Sequence, residues 1–296
     1  MAVTTSTTVD LSRLPAPIVV EQLTYEQILA GMIAKLGELL PDFDATVDSD
    51  PAVKVLQVAA YRELLIRRAC QDGALQNFVA FATGASLDHL AALVGVTRQI
   101  VTPATTDTAA IYEEDDRLRQ RIVLAPEGFS VAGPELAYVK HAKDASADVL
   151  DASATSAEPG EVLVSVLART DAGIASEALL DAVRAIVTSK SVRPIGDEVT
   201  VASATLVAYE IHASLPTFAG PDAGLIVDAA RTALAAYLAD NRFLGRNITR
   251  AGIIAALKVP GVQDVILTSP LANIVCGPTE AASATVIDIV HGGYDD

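Results

Sequence analysis

The sequence predicts an α+β protein in which a helical N-terminal region is followed by small α+β layers. Three observations carry that expectation. Hydrophobic residues make up 51% of the chain but aromatics only 4%, with no Trp, so the core must be built from Ala, Val, Leu and Ile, which suits close helix packing. The first hundred residues form capped segments of helical period. From Val149 onward, stretches of strand period alternate with amphipathic helices. A chain of 296 residues accommodates two or three domains of roughly 100 to 150 residues each. Shifts in pattern divide it into 1–100, 101–203 and 204–296.

Thr24 followed by Gln27 is a capping box, and the helix it opens runs through Ile28, Ile33, Leu36 and Leu40 until Pro41 stops it. Asp50 caps a second helix with Pro51 at its first position. Unbroken to Ala82, that helix would be about 48 Å long, as long as a compact globule of the whole chain is wide, about 50 Å. It therefore projects from the body or breaks near Asp72-Gly73. Its apolar residues, among them Val55, Val58, Tyr61, Leu65 and Ile66, occupy more than one narrow stripe, so it wants neighbours on two sides, one of which another chain can supply. Ser86 caps a short helix over Leu87 to Val94, and Gly95 suits its left-handed C-terminal cap. After the polar run Thr102 to Thr108, Glu113 to Asp116 precede Arg117, Arg119 and Arg121. That order matches the helix dipole and sets Glu113 against Arg117 and Asp115 against Arg119.

Gly133, Pro134 and Glu135 start the next helix, with Gly133 at the cap and Pro134 at the first helical position. Val149 to Ala154 and Val162 to Ala168 flank Glu158-Pro159-Gly160 as a hairpin. A helix from Ser176 to Lys190, apolar at Leu179, Leu180, Val183, Ile186 and Val187, leads through Arg193-Pro194 to strands at Glu198 to Ala202 and Leu206 to Leu215. Pro221 opens a helix to Asp240, Thr249 caps a short one, and Val262 to Leu267 and Thr285 to Val290 read as strands. Asp181-Ala182-Val183-Arg184 is echoed 47 residues later by Asp228-Ala229-Ala230-Arg231, each in a helix between strands. The two layers either share one sheet in a ferredoxin-like βαββαβ order or form separate domains, and the sequence leaves both open.

The charge balance narrows the function. With 21 Lys and Arg against 37 Asp and Glu, a net charge of −16 argues against direct nucleic-acid binding, which needs a basic face, and against an anionic membrane surface. No apolar run reaches the roughly 18 to 20 residues of a membrane span, and Met1 to Asp10 is rich in Thr, which reads as a soluble protein made in the cytosol. Cys70 and Cys276 offer neither a disulfide framework nor a metal knuckle and read as small apolar residues. His89, His141, His212 and His291 have no metal-ligand spacing and read as satisfied half-buried residues rather than ligands or bases. No nucleophile elbow or signature Cys is present. Gly128 and Gly133 stand at phosphate-loop spacing, but Pro134 and Glu135 follow where Lys and Ser or Thr would be needed, so the loop fails as a phosphate cradle. No catalytic, cofactor-binding or metal residue is expected, and the chain reads as a structural or interaction protein.

Several segments taken in order resemble one family, the baseplate J-like proteins of contractile phage tails and related tail-like particles. They are Ser86-Leu87-Asp88-His89-Leu90-Ala91 with Gly95-Val96-Thr97-Arg98, the run Tyr112 to Ile122, and Pro126 to Pro134. Further along come Val149-Leu150-Asp151-Ala152, Pro159-Gly160-Glu161-Val162, Val192 to Val201, and Pro260-Gly261-Val262-Gln263-Asp264-Val265. The match in order and spacing covers nearly the whole chain, residues 20 to 290. The resemblance implies a baseplate wedge subunit without enzymatic activity or cofactor, located in the virion tail baseplate and assembled in the host cytoplasm. It implies pairing with a second copy of the chain, with a tail protein I-like wedge partner and with other baseplate and hub proteins. The N-terminal helices would join a bundle with the partner, and the C-terminal region would make contacts between copies. The wedges would close a ring around the hub and rearrange to trigger sheath contraction. A tail-like bacteriocin or injector particle would use an equivalent subunit. A cell-wall hydrolase or a β-rich receptor-binding tail protein is disfavoured by the helical first third and the lack of Trp.

Overall fold

Side-chain caps decide where the first helices begin. The structure, a computed structural model, describes residues 11–42, 50–130, 132–219 and 222–294. Among these, the chain divides into two compact units, one of residues up to 97 with 114–119, the other of 98–113 with 120 onward.

In the first unit, α1 (Tyr25–Leu39) opens on the expected capping box: Thr24 Oγ1 accepts from Gln27 N at 3.3 Å and Gln27 Oε1 from Thr24 N at 2.8 Å. The Asp50 carboxylate caps α2 (Pro51–Leu75) by accepting from Ala52 N at 2.7 Å. Its 25 residues span about 37 Å. The helix passes Asp72-Gly73 without breaking and gives way after Leu75 to tight turns. An extended strap lies along α2, held by Gln71, whose Oε1 accepts from Val19 N (2.9 Å) and Val20 N (3.1 Å) and whose Nε2 donates to Pro17 O (2.7 Å). The next helix, α3 (Gly84–Ala92), starts ahead of Ser86, and its cap residue Thr83 makes no side-chain capping bond. Gly84 N instead donates to the Asp115 carboxylate at 3.1 Å, a distant acceptor that local sequence does not reveal. Gly95 has the expected positive φ, 72°.

A short hairpin not anticipated from sequence, β1 (Ile100–Thr102) with β2 (Ile111–Tyr112), precedes α4 (Asp115–Leu124). One of the pairs expected along α4 is replaced by a neighbouring one. Arg119 pairs with Asp116 rather than Asp115 and donates to Val79 O and Ala82 O. Glu113 lies ahead of the helix, buried, with its carboxylate 2.5 Å from Arg121, which also holds Asp144 at 2.7 Å.

Two separate three-stranded sheets organise the second unit, which corrects the single βαββαβ sheet considered above. The first is preceded by α5 (Glu135–Ala145), whose cap residue is Pro134, with extended ψ of 150°, so Pro134 stands one place earlier than expected. Gly133 has φ +76°, and a Cβ there would lie 2.7 Å from Pro194 Cγ, so both backbone and space demand glycine. The hairpin β3 (Val149–Thr155) and β4 (Glu161–Ala168) forms as predicted, and α6 (Glu177–Val187), capped by Ser176, crosses to β5 (Glu198–Ser203), parallel to β4. Leu179, Leu180, Val183 and Val187 of α6 pack with Tyr138, Val164 and Val166 in one core.

In the second sheet β6 (Thr205–Thr217) is central. Pro221 lies outside the described residues, and α7 (Ala223–Asp240) is capped by Asp222. Thr249 caps α8 (Arg250–Leu257) as expected. The strand β7 (Ile266–Ser269) is shifted from the predicted position, Val262 making only an isolated bridge to Thr217. At the other edge β8 (Glu280–Tyr294) runs parallel to β6 for 15 residues, much longer than predicted because Glu280 to Ala284 has little strand propensity of its own. A core of Ile211, Leu215, Leu234, Ile253, Leu257 and Ile289 underlies this sheet. The repeated Asp-x-x-Arg segments fall on the two crossover helices, where Arg184 pairs with Asp181 and Arg231 with Asp228.

Asp151, buried, ties the two layers together: Oδ1 meets Lys143 Nζ at 2.8 Å and Oδ2 accepts from Leu244 N at 3.0 Å. Asp151→Ala leaves both donors without their acceptor and is expected to cost about 3–5 kcal/mol in urea unfolding, with Asp151→Asn, which keeps an acceptor for Leu244, costing less.

Candidate interaction surfaces

The failed phosphate loop leads into α5, whose Tyr138 Oη donates to Asp197 Oδ2, on the segment after α6, at 2.8 Å. Burial and the neighbouring Asp197 push the Tyr138 phenol far above its ordinary range. Gly128 lies under the Lys140 chain, where a Cβ would come within 2.6 Å of Cδ.

The four histidines lie apart, on α3, α5, β6 and β8. His141 is half-buried, His212 sits 3.2 Å from Glu210 and 3.7 Å from Asp288 on the open face of its sheet, and His291 bonds Thr217 Oγ1 at 3.0 Å. Both cysteines are free thiols. Cys276 is buried, which pushes its thiol up, while Cys70 is exposed on α2 rather than part of a core. Among the described residues, no group of three or more His, Cys, Asp and Glu could hold a metal ion, and no helix is long and apolar enough to cross a membrane. A shallow groove lined by Glu21, Thr24, Glu26, Leu64, Arg67 and Arg68 carries charges of both signs but no paired nucleophile and base.

Two surfaces stand out. The first is on α1 and α2. In 15 and 25 helical residues only Ile28, Val53 and Ala60 are buried. The strap and α1 occupy the Ala60 side of α2, and the opposite side presents Val55 (67% exposed), Val58 (65%) and Ile66 (56%) to water. A globular helix normally turns such residues inward.

The second surface is the outer edge of β8, where Gly245 N donates to Glu280 O at 2.9 Å and Arg231 to Ile289 O at 2.8 Å but no further described strand pairs. Among the described residues it pairs only with β6, and Val286, Ile287, Val290 and Tyr294 are exposed along it. Sheet edges are usually blunted with Lys or Pro, yet Glu280–Tyr294 contains no Lys, Arg or Pro. A register shift between Tyr209 and Glu210 on β6 leaves Thr285 unpaired, and Val286 resumes the ladder. The α2 surface was legible in the breadth of its apolar pattern. The β8 edge was missed because which strand is central and which is at the edge depends on non-local pairing; its one sequence signal was the missing Lys and Pro.

Comparison with known proteins came out as follows. The Baseplate J-like N-terminal domain matches residues 48–105, the Baseplate J-like central domain residues 130–203, and the Baseplate J-like protein C-terminal domain residues 209–290. The chain is similar to Baseplate protein J of Escherichia phage P2, 42% identical over 299 residues that cover 97% of this chain and 99% of that protein.

Burial and the adjacent Lys140 hold His141 below its ordinary range, against a smaller opposing pull from Asp144. The unfolded chain therefore binds more protons as pH falls through about 6.5, so this group supports folding above that pH and opposes it below. His141→Gln is expected to lose less stability than the parent chain when urea midpoints at pH 7.5 and pH 5.5 are compared.

Proposed function

We propose that this chain, which belongs to the baseplate J-like family, is a structural subunit of a virion tail baseplate and acts without catalysis of its own. The observation that carries the proposal is the contrast between a body with two continuous cores and a helical pair with three buried side chains. Such a pair is completed by other chains: covering Val55, Val58 and Ile66 is worth about 1.5–3 kcal/mol each. In this reading residues 1–100 join a helical bundle with a wedge partner of the tail protein I type, 101–203 form a connecting domain, and 204–296 meet a second copy.

The strand edge of β8, apolar at Val286, Ile287 and Val290, supports the last assignment, since an edge strand without a further neighbour accepts another strand or an apolar surface. A heterologous contact repeated about an axis closes a ring when its rotation permits. Wedges joined in this way would surround a hub, and a change in their packed interfaces would release sheath contraction, because packed interfaces switch between discrete arrangements. The excess of acid over base keeps free subunits apart until partners arrive.

Light scattering tests the assignment, on the chain alone and after co-expression with the product of the adjacent tail gene. A stable complex of two copies with one partner is expected. A chain that stays monomeric beside that product, or that shows turnover of cell-wall substrate, would overturn the proposal.

A further inference from the structure

The outward stripe of α2 carries a charge where an apolar seam would be expected. Val55, Val58, Arg62, Ile66, Ala69 and Gly73 recur at intervals of three and four and are all exposed, the spacing by which one helix receives another. Arg62 stands in the middle of it. A carboxylate three or four residues away would pair with an exposed helical Arg, but those neighbours of Arg62 are Val58, Ala59, Leu65 and Ile66. The nearest acid, Glu63, is engaged 2.8 Å from Arg67, and Arg62 has no ion pair among the described residues. In an acidic chain, α2 is locally basic, with Lys54, Arg62, Arg67 and Arg68 against Glu63 and Asp72.

We infer that this seam receives a helix of a different chain that places a carboxylate opposite Arg62. A second copy of α2 fits poorly. Its seam holds no acidic residue, so neither parallel nor antiparallel pairing of two copies offers Arg62 a carboxylate, and parallel in-register pairing sets Arg62 against Arg62. Covering the seam strips water from the guanidinium, and a planar fork left without an acceptor there opposes binding, whereas a carboxylate takes two parallel N–H bonds from it. Arg62 thus selects the partner and its register, as a single polar seam residue does in coiled coils. This rests on the reading of α2 as a partner-binding face.

The test uses the full chain and two synthetic helical peptides with Leu and Ile seams, identical except for Glu or Lys at the central seam position, with binding read by fluorescence anisotropy. The Glu peptide is expected to bind about tenfold or more tighter than the Lys peptide. Arg62→Glu should reverse that order, and Arg62→Leu should abolish it. Far-ultraviolet circular dichroism checks that the variants keep the parent fold. Equal binding of the two peptides, a preference unchanged in Arg62→Glu, or no binding of either overturns the inference. If that happens while the chain still assembles with the adjacent tail gene product, the charge selection fails and the proposed function stands.

Discussion

At Ala204 the backbone leaves one sheet and enters the other without a loop. Its N–H donates to Val166 O at 2.8 Å, extending the β4–β5 ladder, and the next N–H, of Thr205, donates to Thr279 O at 3.1 Å, beginning the ladder with β8. A strand that changes partners in one residue leaves little freedom between the two sheets. The joint is filled by a small core of Leu167, Ala204, Leu244 and Ala281 and clamped by Asp151, so the layers on either side depend on it for their common frame. Small residues suit that place: Ala204 and Ala281 let two backbones approach where a larger side chain would force them apart.

A well-packed body and an under-buried helical pair differ sharply in how they are held together. Parallel strands closed by crossover helices give the second unit two cores, each built from a sheet and the helices packed on it. In the first unit, α1 and α2 rely on caps, on the Gln71 clamp and on one shared face, while among the described residues much of the rest of their surface is exposed. Helices in globular proteins draw most of their stability from tertiary packing rather than propensity, so an α2 with two buried side chains is a helix awaiting neighbours. On the proposed function, this is the part that other baseplate chains would complete.

Much of this fold was legible wherever the determinants are local. The Thr24/Gln27 box, the Asp50, Ser176 and Thr249 caps, and the hairpin around Pro159-Gly160 all stand where sequence placed them. What escaped was set at a distance. The α3 start is fixed by Asp115 rather than Ser86. The buried Glu113–Arg121 pair joins residues eight positions apart and was not anticipated. The first five residues of β8 are strand because β6 pairs with them. The candidate surfaces divide in the same way, α2 betrayed by its own periodicity and β8 hidden until the sheet order was known.

Hydrogen exchange of backbone amides, compared between the isolated chain and assembled tails, tests the division most directly. The account predicts that α1 and α2 exchange quickly in the isolated chain and become protected on assembly, while β4, β6 and α7 are protected in both. Equal and strong protection of α1 and α2 in the isolated chain would contradict it.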